Sequence, residues 1–123
     1  RQGRFDEARR LIGEARTHAG SDPSLLAQAR LNLAEARLGV IEKRWAEAFA
    51  AFGRAAECET QMGRRWYHAQ TLRERAEAHL SRNEPGDRDR ARELLAQAQA
   101  EFEAMGVMQY VNRVDGRLAS LSA

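Results

Sequence analysis

The sequence predicts an all-α fold of about six helices, stacked as antiparallel hairpins into a solenoid. Three observations carry this. Apolar residues recur at helical spacing in every segment between breakers, and nothing shows the period-2 alternation of a strand. The chain is also self-similar at intervals of 40 to 43 residues, a range that marks arrays of small supersecondary units. Finally, the breakers are short, so consecutive helices must be antiparallel neighbours.

The first helix is expected near 4–19, where Phe5, Ala8, Leu11, Ile12, Ala15 and Ala19 form one stripe. Gly20 then reads as a left-handed C-terminal cap. A second helix is expected over 22–43, striped by Leu26, Ala29, Leu33, Ala36 and Val40. Asp22 would be its N-cap, with Pro23 at the first helical position, where a missing N–H costs nothing. The third, near 45–63, carries Trp45, Ala48, Phe52, Ala55 and Met62 and ends at Gly63. The fourth, near 65–82, has the weakest pattern: Trp66, Ala69, Leu72, Ala76 and Leu80. Asn83-Glu84-Pro85-Gly86-Asp87 is the strongest breaker in the chain, and Asp87 is placed to cap the helix after it. The fifth, near 87–105, is the clearest, with Ala91, Leu94, Leu95, Ala98, Phe102 and Met105 on one side and Gly106 at its end. Val107, Val111, Val114, Leu118 and Leu121 alternate four and three and define a sixth helix near 107–122.

The self-similarity is specific at the level of residues. A shift of 40 carries Arg4, Glu7, Ala8, Gly13 and Ala15 onto Arg44, Glu47, Ala48, Gly53 and Ala55. A shift of 42 carries Ala27, Gln28, Ala34, Glu35, Ala36 and Leu38 onto Ala69, Gln70, Ala76, Glu77, Ala78 and Leu80. A shift of 43 carries Ala48, Ala55, Met62, Gly63 and Tyr67 onto Ala91, Ala98, Met105, Gly106 and Tyr110. The chain therefore divides into a half repeat 1–20, repeats 21–63 and 64–106, and a capping helix 107–123, all within one domain. Because Gly3-Arg4-Phe5 opens in mid-repeat and no Met precedes Arg1, the sequence reads as a segment of a longer protein.

Gly3-x-Phe5-x-x-Ala8, followed by Ile12 and Ala15, resembles the opening of the second helix of a tetratricopeptide repeat. Trp45, Ala48, Phe52 and Ala55 match the same pattern without its glycine spacing. Ala91, Leu95 and Ala98 match it with Arg88 where an aromatic belongs. Leu33-Ala34 resembles the Leu-Gly pair of the family's first helix, and Ala76 holds the corresponding small position. The resemblance implies helix–turn–helix units stacked as a right-handed superhelix that binds protein partners. The family's usual period is about 34 residues. The longer period here is similar to that of arrays in large bacterial regulators linked to ATPases, cyclases or kinases.

Composition narrows the function classes. Acidic and basic residues nearly balance, at a net charge of +2. Nineteen of the twenty basic residues are Arg, which a GC-rich genome explains as well as function does. No apolar run approaches the roughly 20 residues that span a bilayer. One cysteine, Cys58, forbids an internal disulfide, suits a cytoplasmic setting, and falls on an apolar stripe as a small hydrophobe. His18, His68 and His79 are scattered and read as solvated or capping side chains, so no metal site is expected. There is no phosphate-cradling glycine loop, no nucleophile with a base, and no cofactor motif. Catalysis, if the parent protein has any, belongs outside this segment. The aromatic residues fall on packing positions rather than in a stacking row, which counts against RNA or DNA.

What remains is a scaffold for protein or peptide partners, with nucleic-acid binding and a purely structural or oligomerisation role as the alternatives. In the tetratricopeptide family the first helix of each unit lines a concave groove. The positions this implies are Gln28, Asn32 and Glu35, then Gln70, Arg73, Glu74 and Glu77, with Arg113 and Arg117 from the last helix. Arg113 and Arg117 resemble the basic pair with which some members grip a peptide carboxylate. Leu31, Glu35 and Glu77 replace the companion Lys and Asn residues, so the full clamp is absent. The apolar face of helix 4–19 is a second candidate surface, for self-association.

Overall fold

A computed structural model describes residues 6–13 and 24–122, and among these every regular element is helical. Residues 6–13 lie in a helix, α1. It is followed by α2 (Leu25–Ile41), α3 (Trp45–Met62), α4 (Arg65–Arg82), α5 (Asp87–Met105) and α6 (Met108–Ser122). None of them is long and apolar enough to cross a membrane. The chain forms two compact units, Arg1–Gly63 and Arg64–Ala123. In the first, α2 packs against α3. In the second, α4 packs against α5, and α5 against α6.

Local chemistry sets the helix ends. The N-cap of α2 is Ser24, whose extended backbone (ψ 145) lets its Oγ accept from Ala27 N at 3.1 Å. That places the N-cap two residues later than expected, while Asp22, Pro23 and the cap at Gly20 lie outside the described residues. Gly63 and Gly106 end α3 and α5 in the left-handed conformation, at φ 68 and φ 73. After α5 the Val107 N–H reaches back to Phe102 O at 3.0 Å, closing the loop that such a glycine permits. The same loop ends α2, with Arg44 N–H donating to Gly39 O at 2.8 Å, but the left-handed position is held by Lys43 at φ 59.

Asp87 does not cap α5. Gly86, at φ 90, occupies that position, and Asp87 is the first helical residue. Its buried carboxylate turns back instead, accepting from Arg82 at 2.7 and 2.9 Å, from Glu84 N at 2.8 Å and from His79 Nδ1 at 2.7 Å. One side chain thus ties the end of α4, the turn and the start of α5 together.

Small residues form the seams. Ala36, Ala48 and Ala55 in the first unit, and Ala69, Ala76, Ala91 and Ala98 in the second, are fully buried. They allow close helix axes, as at Gly39, where an added Cβ would sit 3.0 Å from Ala48 Cβ and 3.2 Å from its Cα. The second unit adds a larger core of Leu72, Leu94, Leu95, Phe102, Val111, Val114 and Leu121, with Trp66 and Tyr110 packed against it. Arg88, at the position expected to be aromatic, donates to Leu121 O at 3.0 Å, and Arg92 joins it at 2.7 Å. Both cap the carbonyl end of α6, where positive charge is favoured.

Burial adds a second criterion to the spacing between corresponding helices. The buried positions of α2 are Ala29, Ala36 and Gly39. A shift of 40 places them on Ala69, Ala76 and His79, all buried, whereas a shift of 42 puts Gly39 on exposed Ser81. For α3 and α5 the shift of 43 holds, carrying buried Ala48, Ala51, Phe52 and Ala55 onto buried Ala91, Leu94, Leu95 and Ala98. A shift of 42 also carries Ala29 and Ala36 onto buried Thr71 and Ala78, so burial matches α2 to α4 best at 40, by the one position Gly39, and α3 to α5 at 43.

Candidate functional site

The nine residues expected to line a groove fall into two groups, one in each unit. In the first, Arg54 of α3 gathers the polar side chains of α2. Its Nε donates to Asn32 Oδ1 at 2.9 Å, and its Nη2 lies 3.5 Å from Glu35 Oε2. Asn32 in turn donates to the Gln28 carbonyl at 2.9 Å. Beside Glu35 opens a cleft of about 400 Å³, lined by Ile12 and Leu38 together with Glu42, Arg44 and Glu47. Its charges are matched internally: Arg9 pairs with Glu42, Arg44 with Glu47, and Arg54 with Glu35.

The second unit brings more together. Glu77 of α4 and Arg117 of α6 form a two-bond fork at 2.7 and 2.8 Å. Glu77 holds the Arg117 guanidinium above its ordinary pKa. Gln70 Oε1 accepts from Arg73 at 2.9 Å. The Arg73 guanidinium lies 5.9 Å from the Tyr110 ring centroid, and that of Arg113 lies 4.8 Å from the same centroid. Glu74 is half-buried on α4. Among the described residues neither Arg73 nor Arg113 pairs with a carboxylate.

Tyr110 is not among the groove positions that the sequence implies, yet it joins two of them. The signal was present in the Tyr-x-x-Arg spacing of Tyr110 and Arg113, one helical turn apart. The ring stacks on buried Phe102 at 5.1 Å and meets Trp66 edge to face at 5.8 Å. Trp66 in turn meets Tyr67 at 5.1 Å, and Arg64 lies 4.8 Å over the Tyr67 ring. The aromatic residues of this unit are thus one contiguous array running from the core to half-exposed Tyr67. Periodicity alone gave them no such continuity, because Tyr110 and Phe102 lie on different helices.

The histidines also depart from expectation. His68 Nδ1 is 2.7 Å from Glu101, and His79 Nδ1 is 2.7 Å from Asp87, so neither is a freely solvated side chain. His18 lies outside the described residues. Burial lowers the His79 pKa despite the neighbouring carboxylate, with Arg75 and Arg82 opposing a further charge. Cys58 is buried, and burial together with Glu57 and Glu59 raises its thiol pKa, the reverse of an activated nucleophile. Among the described residues no group of His, Cys, Asp and Glu is arranged to hold a metal ion.

Compared with models of known families, with curated proteins and with solved structures, the chain matches none.

Proposed function

We propose that this chain is a protein-binding scaffold: a tetratricopeptide-type helical repeat that docks a protein or peptide partner within a larger cytoplasmic bacterial regulator. The observation that carries the reading is that the polar side chains of α4 and α6 are held in place by the chain itself. Gln70 and Tyr110 fix Arg73, Tyr110 fixes Arg113, and Glu77 fixes Arg117. A surface ordered before binding loses little side-chain entropy when a partner docks. The alanine seams support rigid hairpins, and repetition at 40 and 43 residues supports a repeat array. A single buried thiol suits a reducing compartment.

Selection from a random peptide library displayed on phage tests the reading, with enriched peptides then titrated as free molecules. Saturable binding supports it. Enrichment of no peptide, with retention of single-stranded RNA that falls steeply as salt rises, would replace it by nucleic-acid binding.

A further inference from the structure

We infer that Arg73, Tyr110 and Arg113 form an anion-reading platform that receives an acidic segment of a partner protein through two of its carboxylate side chains. The inference rests on the scaffold reading and names the chemistry of the partner.

One face of Tyr110 is covered by Phe102, stacked at 5.1 Å with planes 22° apart. The guanidinium centres of Arg73 and Arg113 lie 5.9 and 4.8 Å from the centroid of the same ring. A guanidinium resting on an aromatic ring is attracted by the ring quadrupole and keeps its in-plane N–H donors for other partners. Those donors match a carboxylate in a two-bond fork. Gln70 accepts from one Nη1 donor of Arg73 at 2.9 Å, and among the described residues no carboxylate accepts from Arg73 or Arg113.

The neighbouring pair sharpens the contrast. Arg117 already has this fork, with Glu77, so its charge is spent within the chain. Arg73 and Arg113 have the platform and lack the acid. Charge complementarity therefore points to a partner that supplies carboxylates. Because both guanidiniums share one ring, the two acids must lie close together. Side chains at i and i+2 of an extended segment, about 7 Å apart, meet that requirement.

A nucleic acid fits less well. Base stacking needs an open aromatic face, and Phe102 covers one face of Tyr110 while guanidiniums lie against the ring. Nor does the platform need a chain terminus, since its donors accept a side-chain carboxylate as readily as a terminal one.

The test is fluorescence anisotropy with a short labelled peptide alternating glutamate and serine, its C-terminus amidated. The control peptide carries glutamine in place of glutamate. Saturable binding of the first and none of the second is expected. R73Q/R113Q should weaken binding at least about tenfold, equivalent to about 1.4 kcal/mol, and more than R117Q, which acts only by uncovering the Glu77 charge. Tyr110→Phe keeps the ring and should bind as wild type, while Tyr110→Leu, checked by circular dichroism for retained helix, should bind weakly. Equal binding of both peptides, or wild-type affinity in R73Q/R113Q, overturns the platform. So does preferential binding of an unstructured oligonucleotide. If the acidic peptide fails but library-selected peptides bind R73Q/R113Q as they bind wild type, the platform falls and the scaffold stands. If no peptide of any kind binds, both fall.

Discussion

Arg117 of α6 grips Glu77 of α4 with two parallel hydrogen bonds, at 2.7 and 2.8 Å, across forty residues of sequence. Both side chains are substantially exposed, at 40% and 49%, so water screens the pair. Such pairs contribute between about 0 and 1 kcal/mol. The fork matters more for charge than for stability, because it cancels an arginine beside the Arg73–Tyr110–Arg113 platform.

Glu77→Gln should therefore leave the melting temperature within about 2–4 °C of wild type, and it should strengthen binding of the glutamate–serine peptide. The stability expectation follows from a change of at most about 1 kcal/mol, and the binding expectation from releasing the Arg117 charge. Thermal melts and peptide titrations of the same preparation read both. Weaker binding in Glu77→Gln would mean that the glutamate positions the site rather than masking it.

Gly39→Ala should destabilise the first unit even though alanine is the better helix former by about 1 kcal/mol. The new Cβ would meet Ala48 at 3.0 Å from its Cβ, 3.2 Å from its Cα and 3.3 Å from its N. Two of these atoms are backbone, so α2 and α3 must separate. Overpacking of this kind costs about 1–3 kcal/mol. A urea midpoint equal to or above that of wild type would show that the seam can open without loss.

Lys43→Gly should do the opposite. Lys43 holds a left-handed backbone at φ 59, in the same loop that Gly106 serves after α5. A residue with a Cβ pays about 1–2 kcal/mol there, of which glycine recovers a part after its own unfolded-state entropy. The measurement is again the urea midpoint, with a rise expected and an unchanged or lower value counting against the strain.

The sequence made this backbone legible and the side-chain site much less so. Helical periodicity and the glycines at 63 and 106 located the helices because both signals are local. Sequence alone does not single out Ser24 and Gly86 as caps, because Asp22 and Asp87 are equally good capping chemistry, and only geometry decides among them. Identity and burial favour different spacings between α2 and α4: a shift of 42 aligns more identical residues, and a shift of 40 keeps Gly39 on a buried position. Arg73 and Arg113 were named from a family pattern, yet what joins them is Tyr110, and which arginine reaches which ring is a tertiary fact.

Acid should destabilise the second unit through His79 and Asp87. Burial holds the His79 imidazole below its ordinary pKa, so the unfolded chain binds more protons as pH falls below about 6.5. Stability is then lost in that range. Asp87 is depressed, chiefly by Arg82 and also by His79 and the Glu84 N–H. Its contribution is whole above the ordinary carboxylate value of about 3.9 and declines below it as protons are forced onto the folded form. Urea midpoints should accordingly fall between pH 7 and pH 5. His79→Gln should flatten that portion, and Asp87→Asn the portion below about pH 4. Parallel pH profiles for wild type and His79→Gln would remove His79 from the account.

Removing α6 should expose a core that the remaining helices cannot cover. Val111, Val114 and Leu121 belong to the same buried cluster as Leu94, Leu95 and Phe102, and the Tyr110 ring stacks on Phe102. The helix is also held by polar contacts. Gln99 donates to the Val111 carbonyl and to Asp115, while Arg88 and Arg92 hold the Leu121 carbonyl. Its other side carries exposed Gln109 and Asn112, a polar face of the kind that keeps a helical protein from associating. A chain lacking residues 107–123 should therefore aggregate and bind a hydrophobic dye. Val114→Asp offers a gentler version at full length: Val114 is 1% exposed, and an unpaired carboxylate there has no low-cost place to go. Light scattering and thermal melts of both variants read the outcome. A truncated chain that stays dispersed and melts as wild type would show that α6 covers nothing the second unit needs.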